Sequence, residues 1–305
     1  MTILWLVIIG SFFLSWGSLF RDHLLDGTPW LPQRNSRRRA RWQFQEVLIL
    51  FGMFLLLPTF LMEFCLFTQS PAIVNEWRGA IPSLEMENGE LQTLHPLQLY
   101  LTTDWSKVKF VFGVFYAAML VPFMEEFLFR GVIQGWLMAK ERELAFRVRF
   151  LWRSTGFLAV LAVAVFFALL HFRTGSTSHP SPKMLQYQFN VSTVANVFIL
   201  GVALNLLQKT RHATWKDLGL DISHLGSDIR LGTLTFGMVA LPTYVLQYLG
   251  SRIVPPTIAP DPIALLPISL AFGVLYWRTR RLWPSVVTHM LLNGVSILMM
   301  FLSVM

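Results

Sequence analysis

Seven runs of about 18 to 22 mostly apolar residues, the length that crosses a hydrocarbon core, fall near residues 3–20, 47–68, 154–174, 189–208, 231–250, 261–277 and 283–302. An eighth, longer helical stretch covers about 108–139. The expected fold is therefore all-α, a polytopic transmembrane helical bundle of about eight membrane spans. Composition agrees with this reading, because 54% of the 305 residues are hydrophobic and only 14% are charged, which is low for a soluble domain.

The net charge of +8 could point to nucleic acid. The basic residues sit between apolar spans, however, and are not interleaved with aromatics, so the expected surroundings are a lipid bilayer and no nucleic acid. Lys and Arg mark cytoplasmic loops. One alternate set of loops holds 18 of them and the other holds 6, with Arg130 inside a span, which predicts both termini outside. The run RNSRRRARW at 34–42 reads as a topology determinant and headgroup contact. Residues 69–106, carrying Glu76, Glu85, Glu87, Glu90 and Asp104, form the longest polar connection and read as an outer loop. The single cysteine, Cys65, excludes an intrachain disulfide and reads as a packing residue. The first twenty residues read as a retained signal anchor, and a prokaryotic cytoplasmic membrane is expected. The organisation expected is an N-terminal two-span region over 1–105, followed by a membrane domain over 106–305 with an extra segment around 205–260.

The stretch PFMEEFLFRGVIQGW, residues 122–136, places two glutamates and an arginine within an apolar helix. Carboxylates inside a bilayer cost several kcal/mol or more each and usually mark function or an internal pair. Glu126 and Arg130 stand at i, i+4 and share a helix face, so they can neutralise each other. Glu125 is rotated about 100° away and has no partner at that spacing. Two further polar positions lie in spans. His171 closes FFALLHF with Phe167 one turn before it, and His289 and Asn293 project from one face of WPSVVTHMLLN. Each could be a helix-to-helix hydrogen-bonding residue. Together they form a set that hydrolysis can use: a carboxylate to take a proton from water, a histidine to orient that water, and a histidine with an amide to donate to an oxyanion. No serine or cysteine keeps comparable company, and the H-E-x-x-H zinc pattern is absent.

These residues resemble a known family, the CAAX prenyl protease type II and bacteriocin-processing (CPBP, or Abi) intramembrane proteases. Its motifs E-E-x-x-x-R, F-x-x-x-H and H-x-x-x-N occur here in order as Glu125-Glu126 to Arg130, Phe167 to His171, and His289 to Asn293. The proline before the glutamates, FRG after them and the LWPS lead-in to His289 also fit. The likeness covers about 106–175 and 262–300. It implies an intramembrane endopeptidase acting on a membrane-associated protein or peptide. In that enzyme Glu125 activates water, His171 helps to hold it, and His289 with Asn293 stabilises the oxyanion, with Glu126, Arg130 and Phe167 in support. Members are described both as metalloproteases and as metal-free glutamate proteases. Here Glu125, His171 and His289 could supply three zinc ligands. The metal-free version, with no cofactor, is preferred because it leaves His289 to share the oxyanion role with Asn293.

His289 follows His171 by 118 positions, more than one intervening helix needs. The extra segment around 205–260 includes WKDLGLD, similar to a piece that relatives carry upstream of the glutamates. The spans also place His171 about 10 Å towards the outer side of its helix centre and His289 roughly 5 Å towards the inner side. A helix that begins later than 154 would remove that mismatch. Glu63 reads as interfacial, and His23, His95, His179, His212 and His224 as loop or interface residues. Two rival classes share the polar cluster: a non-enzymatic membrane scaffold or immunity factor, and a proton-coupled transporter.

Overall fold

The computed structural model of the chain describes residues 2–32, 42–69, 74, 81–82, 84–87, 90–93, 107–145, 156–172, 178–179, 181–253 and 261–304. All but the last residue of the basic run 34–42, and most of the 69–106 connection with His95, lie outside these. Eight helices carry the fold: α1 (Thr2–Asp26), α2 (Phe44–Phe67), α3 (residues 107–145), α4 (Phe157–Leu170), α5 (Pro182–Arg211), α6 (Leu225–Ile253), α7 (Asp261–Thr279) and α8 (Trp283–Val304). Among the described residues, seven helices are long and apolar enough to cross a membrane. The protein is an all-α polytopic membrane bundle.

The expected span at 154–174 is the one that differs. It is α4, with 14 residues, about 21 Å at the α-helical rise and short of a hydrocarbon core of roughly 30 Å. Its late start has a local cause. Glu141, near the end of α3, accepts hydrogen bonds from the backbone N–H groups of Gly156 at 2.7 Å and Ala159 at 3.0 Å. Those groups would otherwise be orphaned at a helix N-terminus, so a side chain from the preceding helix fixes where α4 begins. The helix ends at His171, whose N–H turns back to the Ala168 carbonyl.

The extra segment is mostly α6, which packs against α1, α7 and α8. Its contact with α8 is close enough to need glycine. A Cβ built on Gly232 would stand 2.7 Å from the Pro284 carbonyl oxygen and 2.8 Å from the Val287 Cβ, and Thr288 donates to the Gly232 carbonyl at 2.9 Å. Small residues let backbones approach where lipid offers no hydrophobic drive. Gly232→Ala is expected to destabilise the protein by about 1–3 kcal/mol, read as a lower melting temperature in detergent; an unchanged melting temperature would refute this contact. The WKDLGLD piece turns at Gly219, whose φ of +77° is left-handed, and the Gly219 carbonyl accepts from Leu282 N–H at 2.8 Å. That bond ties the segment to the α7–α8 connection, directly before the His289 helix.

Two apolar clusters frame the centre. One joins α1, α6, α7 and α8 through Ile8, Phe236, Tyr244, Ile268, Phe272 and Leu292. The other surrounds α3, whose residues 126–135 are all buried. Within the polar connections, Leu84–Glu87 pairs with Glu90–Thr93 as a hairpin. Ile81–Pro82 also pairs antiparallel with Ser178–His179, a few residues past His171.

Candidate active site

The glutamates sit on a helix that is not uniformly α. Within α3, Tyr116–Leu120 and Phe127–Gln134 are π-helical, flanking the short α segment Val121–Glu126. Such π segments are rare and concentrate at functional sites. The first has a chemical consequence. The N–H of Val121 bonds to the Tyr116 carbonyl, five residues back, and in that register the next donor to Ala117 would be residue 122. Residue 122 is proline and has no N–H. The Ala117 carbonyl is thereby left to accept from the Asn293 amide at 3.0 Å, so the proline before the glutamates helps to hold Asn293.

The charged residues divide as the helix spacing predicts. Arg130 Nε stands 3.3 Å from Glu126 Oε2, with both side chains fully buried, an ion pair without aligned hydrogen-bond geometry. Arg130 donates to Ser269 Oγ at 2.8 Å, and its guanidinium lies 5.3 Å from the Phe167 ring and 5.7 Å from the Phe272 ring. Aromatic faces attract a cation more strongly when it is desolvated. Glu125 keeps 15% of its side-chain surface open, and its nearest basic side-chain atom is His289 Nε2 at 3.7 Å.

Each histidine has its Nδ1 engaged. An ionised carboxylate can only accept, so Glu126, 3.2 Å from His289 Nδ1, places a proton on Nδ1 and leaves Nε2 on the Glu125 side. Likewise the Phe167 carbonyl, 2.8 Å from His171 Nδ1, leaves His171 Nε2 as an acceptor. Phe167 organises the group. Its ring is 4.5 Å from His171 and 6.0 Å from His289, while Phe272 stacks on His289 at 4.9 Å. The late start of α4 accompanies this meeting of His171 and His289, and the depth mismatch inferred from the hydropathy spans does not arise.

A cavity of about 500 Å³ is lined by Glu125, Phe167, His171, His289 and Asn293 together. All four residues singled out as catalytic candidates line it, whereas Glu126 and Arg130 lie behind. Six polar residues that the motifs do not flag also line it: Tyr116, Gln188, Thr243, Tyr244, Gln247 and Ser296. Tyr244 comes from the extra segment and donates to the Leu292 carbonyl at 3.2 Å. No sequence signal marks Ser269 or Phe272, which meet Arg130 and His289 from α7. Tyr116 and Tyr244, as aromatics with a polar end inside spans, could have been suspected.

Among the described residues, no three His, Cys, Asp or Glu side chains gather as metal ligands; His289 Nδ1 is held by Glu126 and His171 Nδ1 by a carbonyl, which leaves Nε2 as the available nitrogen of each ring. The arrangement supplies a carboxylate, an imidazole acceptor and two potential oxyanion donors around one space.

The sequence profile of a family described as Rce1-like, type II CAAX prenyl endopeptidase Rce1-like, matches residues 107–220 and 221–295. Neither a curated protein nor a solved structure matches the chain. The matched region runs from the start of α3 through Asn293 and takes in every residue of the cluster.

Proposed function

Since the chain belongs to the Rce1-like family of type II CAAX prenyl endopeptidases, we propose that it is an intramembrane protease that hydrolyses a peptide bond with water activated by Glu125. The observation that carries this reading is the shared cavity, in which an open carboxylate faces two histidines while its neighbour Glu126 is engaged by Arg130 and His289. Glu125 takes one proton of the water and His171 Nε2 accepts a hydrogen bond from the other O–H. The water oxygen bonds to the scissile carbonyl carbon. The resulting oxyanion accepts from Nε2–H of the protonated His289 ring and from the Asn293 N–H not used on Ala117. Glu125 then passes its proton to the leaving amine nitrogen as the C–N bond breaks. Apolar side chains such as Leu185, Leu265, Ile297 and Met300 also line the cavity, which suits a substrate carrying a lipid group, and prenylated C-terminal tails are the class the family description suggests.

The test uses purified protein in liposomes with a prenylated peptide and its unprenylated counterpart. His289→Ala should accumulate normally and lose about 10²–10³-fold in kcat/KM. Metal-depleted protein should retain full activity; loss on chelation with recovery on adding zinc would replace this mechanism with a metal-dependent one. A cellular phenotype retained in Glu125→Gln, His171→Ala and His289→Ala alike would favour the scaffold over the enzyme.

A further inference from the structure

The substrate cavity is not the only space that reaches Glu125. A second chamber of about 190 Å³ lies between α2, α3 and α5, walled by Phe54 and Pro58, Tyr116 and Glu125, and Ser192 and Asn196. Tyr116 and Glu125 line both spaces, and the Tyr116 ring stacks on Phe189 at 5.2 Å.

Val121 and Met124 complete the lining, and among these apolar walls the chamber carries polar side chains where a membrane helix would ordinarily be apolar. Ser192 and Asn196 stand at i, i+4 on α5 and share a face. Asn196 is only 5% exposed, a costly place for an amide unless it has partners. Across the chamber, Pro58 lies inside α2. Lacking an N–H, it leaves the carbonyl four residues back, that of Phe54, without its helical donor. Phe54 and Pro58 both line the space, to which Asn196, Ser192 and Glu125 bring an amide, a hydroxyl and a carboxylate. At about 30 Å³ per molecule it has room for several waters, each of which needs 2–4 polar partners.

We propose that this chamber stores the hydrolytic water, and that Asn196 and Ser192 are positioning residues that pass it to Glu125. The inference rests on the protease reading above. Each cleavage consumes one water, yet an apolar substrate that fills the larger cavity excludes water from that side. A supply behind Glu125 resolves the conflict. The delivered water gives one proton to Glu125 and its oxygen to the carbonyl carbon, and the next chamber water takes its place.

The test is a kcat-against-KM split on a peptide that the wild-type protein cleaves. Asn196→Leu, which fills the chamber and removes its amide, should lower kcat about tenfold or more with KM within about twofold. Asn196→Ser, which keeps a polar group and leaves room for water, should stay within about threefold of wild-type kcat. Wild-type kcat in Asn196→Leu overturns the proposal, and so does an equal loss in both variants, since packing alone would not distinguish them by polarity. If Asn196→Leu does not accumulate, Ser192→Val takes its place: a kcat loss at constant KM supports the chamber, and unchanged kcat refutes it. Cleavage that is indifferent to these variants leaves the protease reading standing, whereas a wild-type protein that cleaves nothing removes both.

Discussion

Glu125→Gln is expected to lower kcat by about 10²–10⁴-fold while leaving membrane accumulation and melting temperature unchanged. The amide has nearly the same shape as the carboxylate but cannot take a proton from water. Stability should survive because Glu125 is not the partner of Arg130. Its side chain opens on the cavity, and its nearest basic side-chain atom is His289 Nε2 at 3.7 Å. Steady-state cleavage in liposomes and thermal melting of the same preparation check the two halves. Cleavage close to wild type would remove Glu125 from the chemistry, and a collapsed melting temperature would make it structural.

Arg130→Met should do the opposite, acting on the fold first. Glu126 and Arg130 are both fully buried, and removing the cation strands a carboxylate in a low-dielectric interior. Breaking one side of such a pair costs about 3–5 kcal/mol. The guanidinium contacts with Ser269, Phe167 and Phe272 go with it, so the cluster that carries His171 and His289 loosens as well. The double variant Glu126→Gln with Arg130→Met should recover most of the lost stability, because replacing both charges removes the stranded one. Melting temperature and accumulation of the single and double variants measure this. A single variant as stable as wild type, or a double variant no better than the single, would refute the pairing.

These two expectations follow from a division that could be read before any coordinates. The spacing of Glu126 and Arg130 put them on one helical face and left Glu125 alone, and His289 and Asn293 shared a face for the same reason. Helical periodicity is local, so the chain order alone carries it. The family resemblance was equally accessible, since its motifs are short and ordered along the chain. Hydropathy located the eight helices of the described residues but misjudged α4, because a window that averages apolar residues cannot see Glu141 reaching across the connection to cap Gly156 and Ala159.

What remained hidden was everything that depends on residues far apart meeting. Ser269 touches Arg130 across 139 positions, and His289 touches Glu126 across 163. No periodicity spans such separations. The π turns of α3 were hidden too, although Pro122 was in plain view: its missing N–H acquires meaning only once the ladder shifts register and frees the Ala117 carbonyl for Asn293.

By itself, then, the sequence determined the membrane helices, the order of the motifs and which glutamate could pair with the arginine, because each of these depends on composition or on neighbours within a turn. Only the tertiary structure decided that the motif residues share one cavity, that Tyr244 helps to line it while Phe272 stacks on His289, and that Glu125 also borders a second chamber with Ser192 and Asn196. Spaces between helices are set by how their side chains pack, and packing is a property of distant pairs.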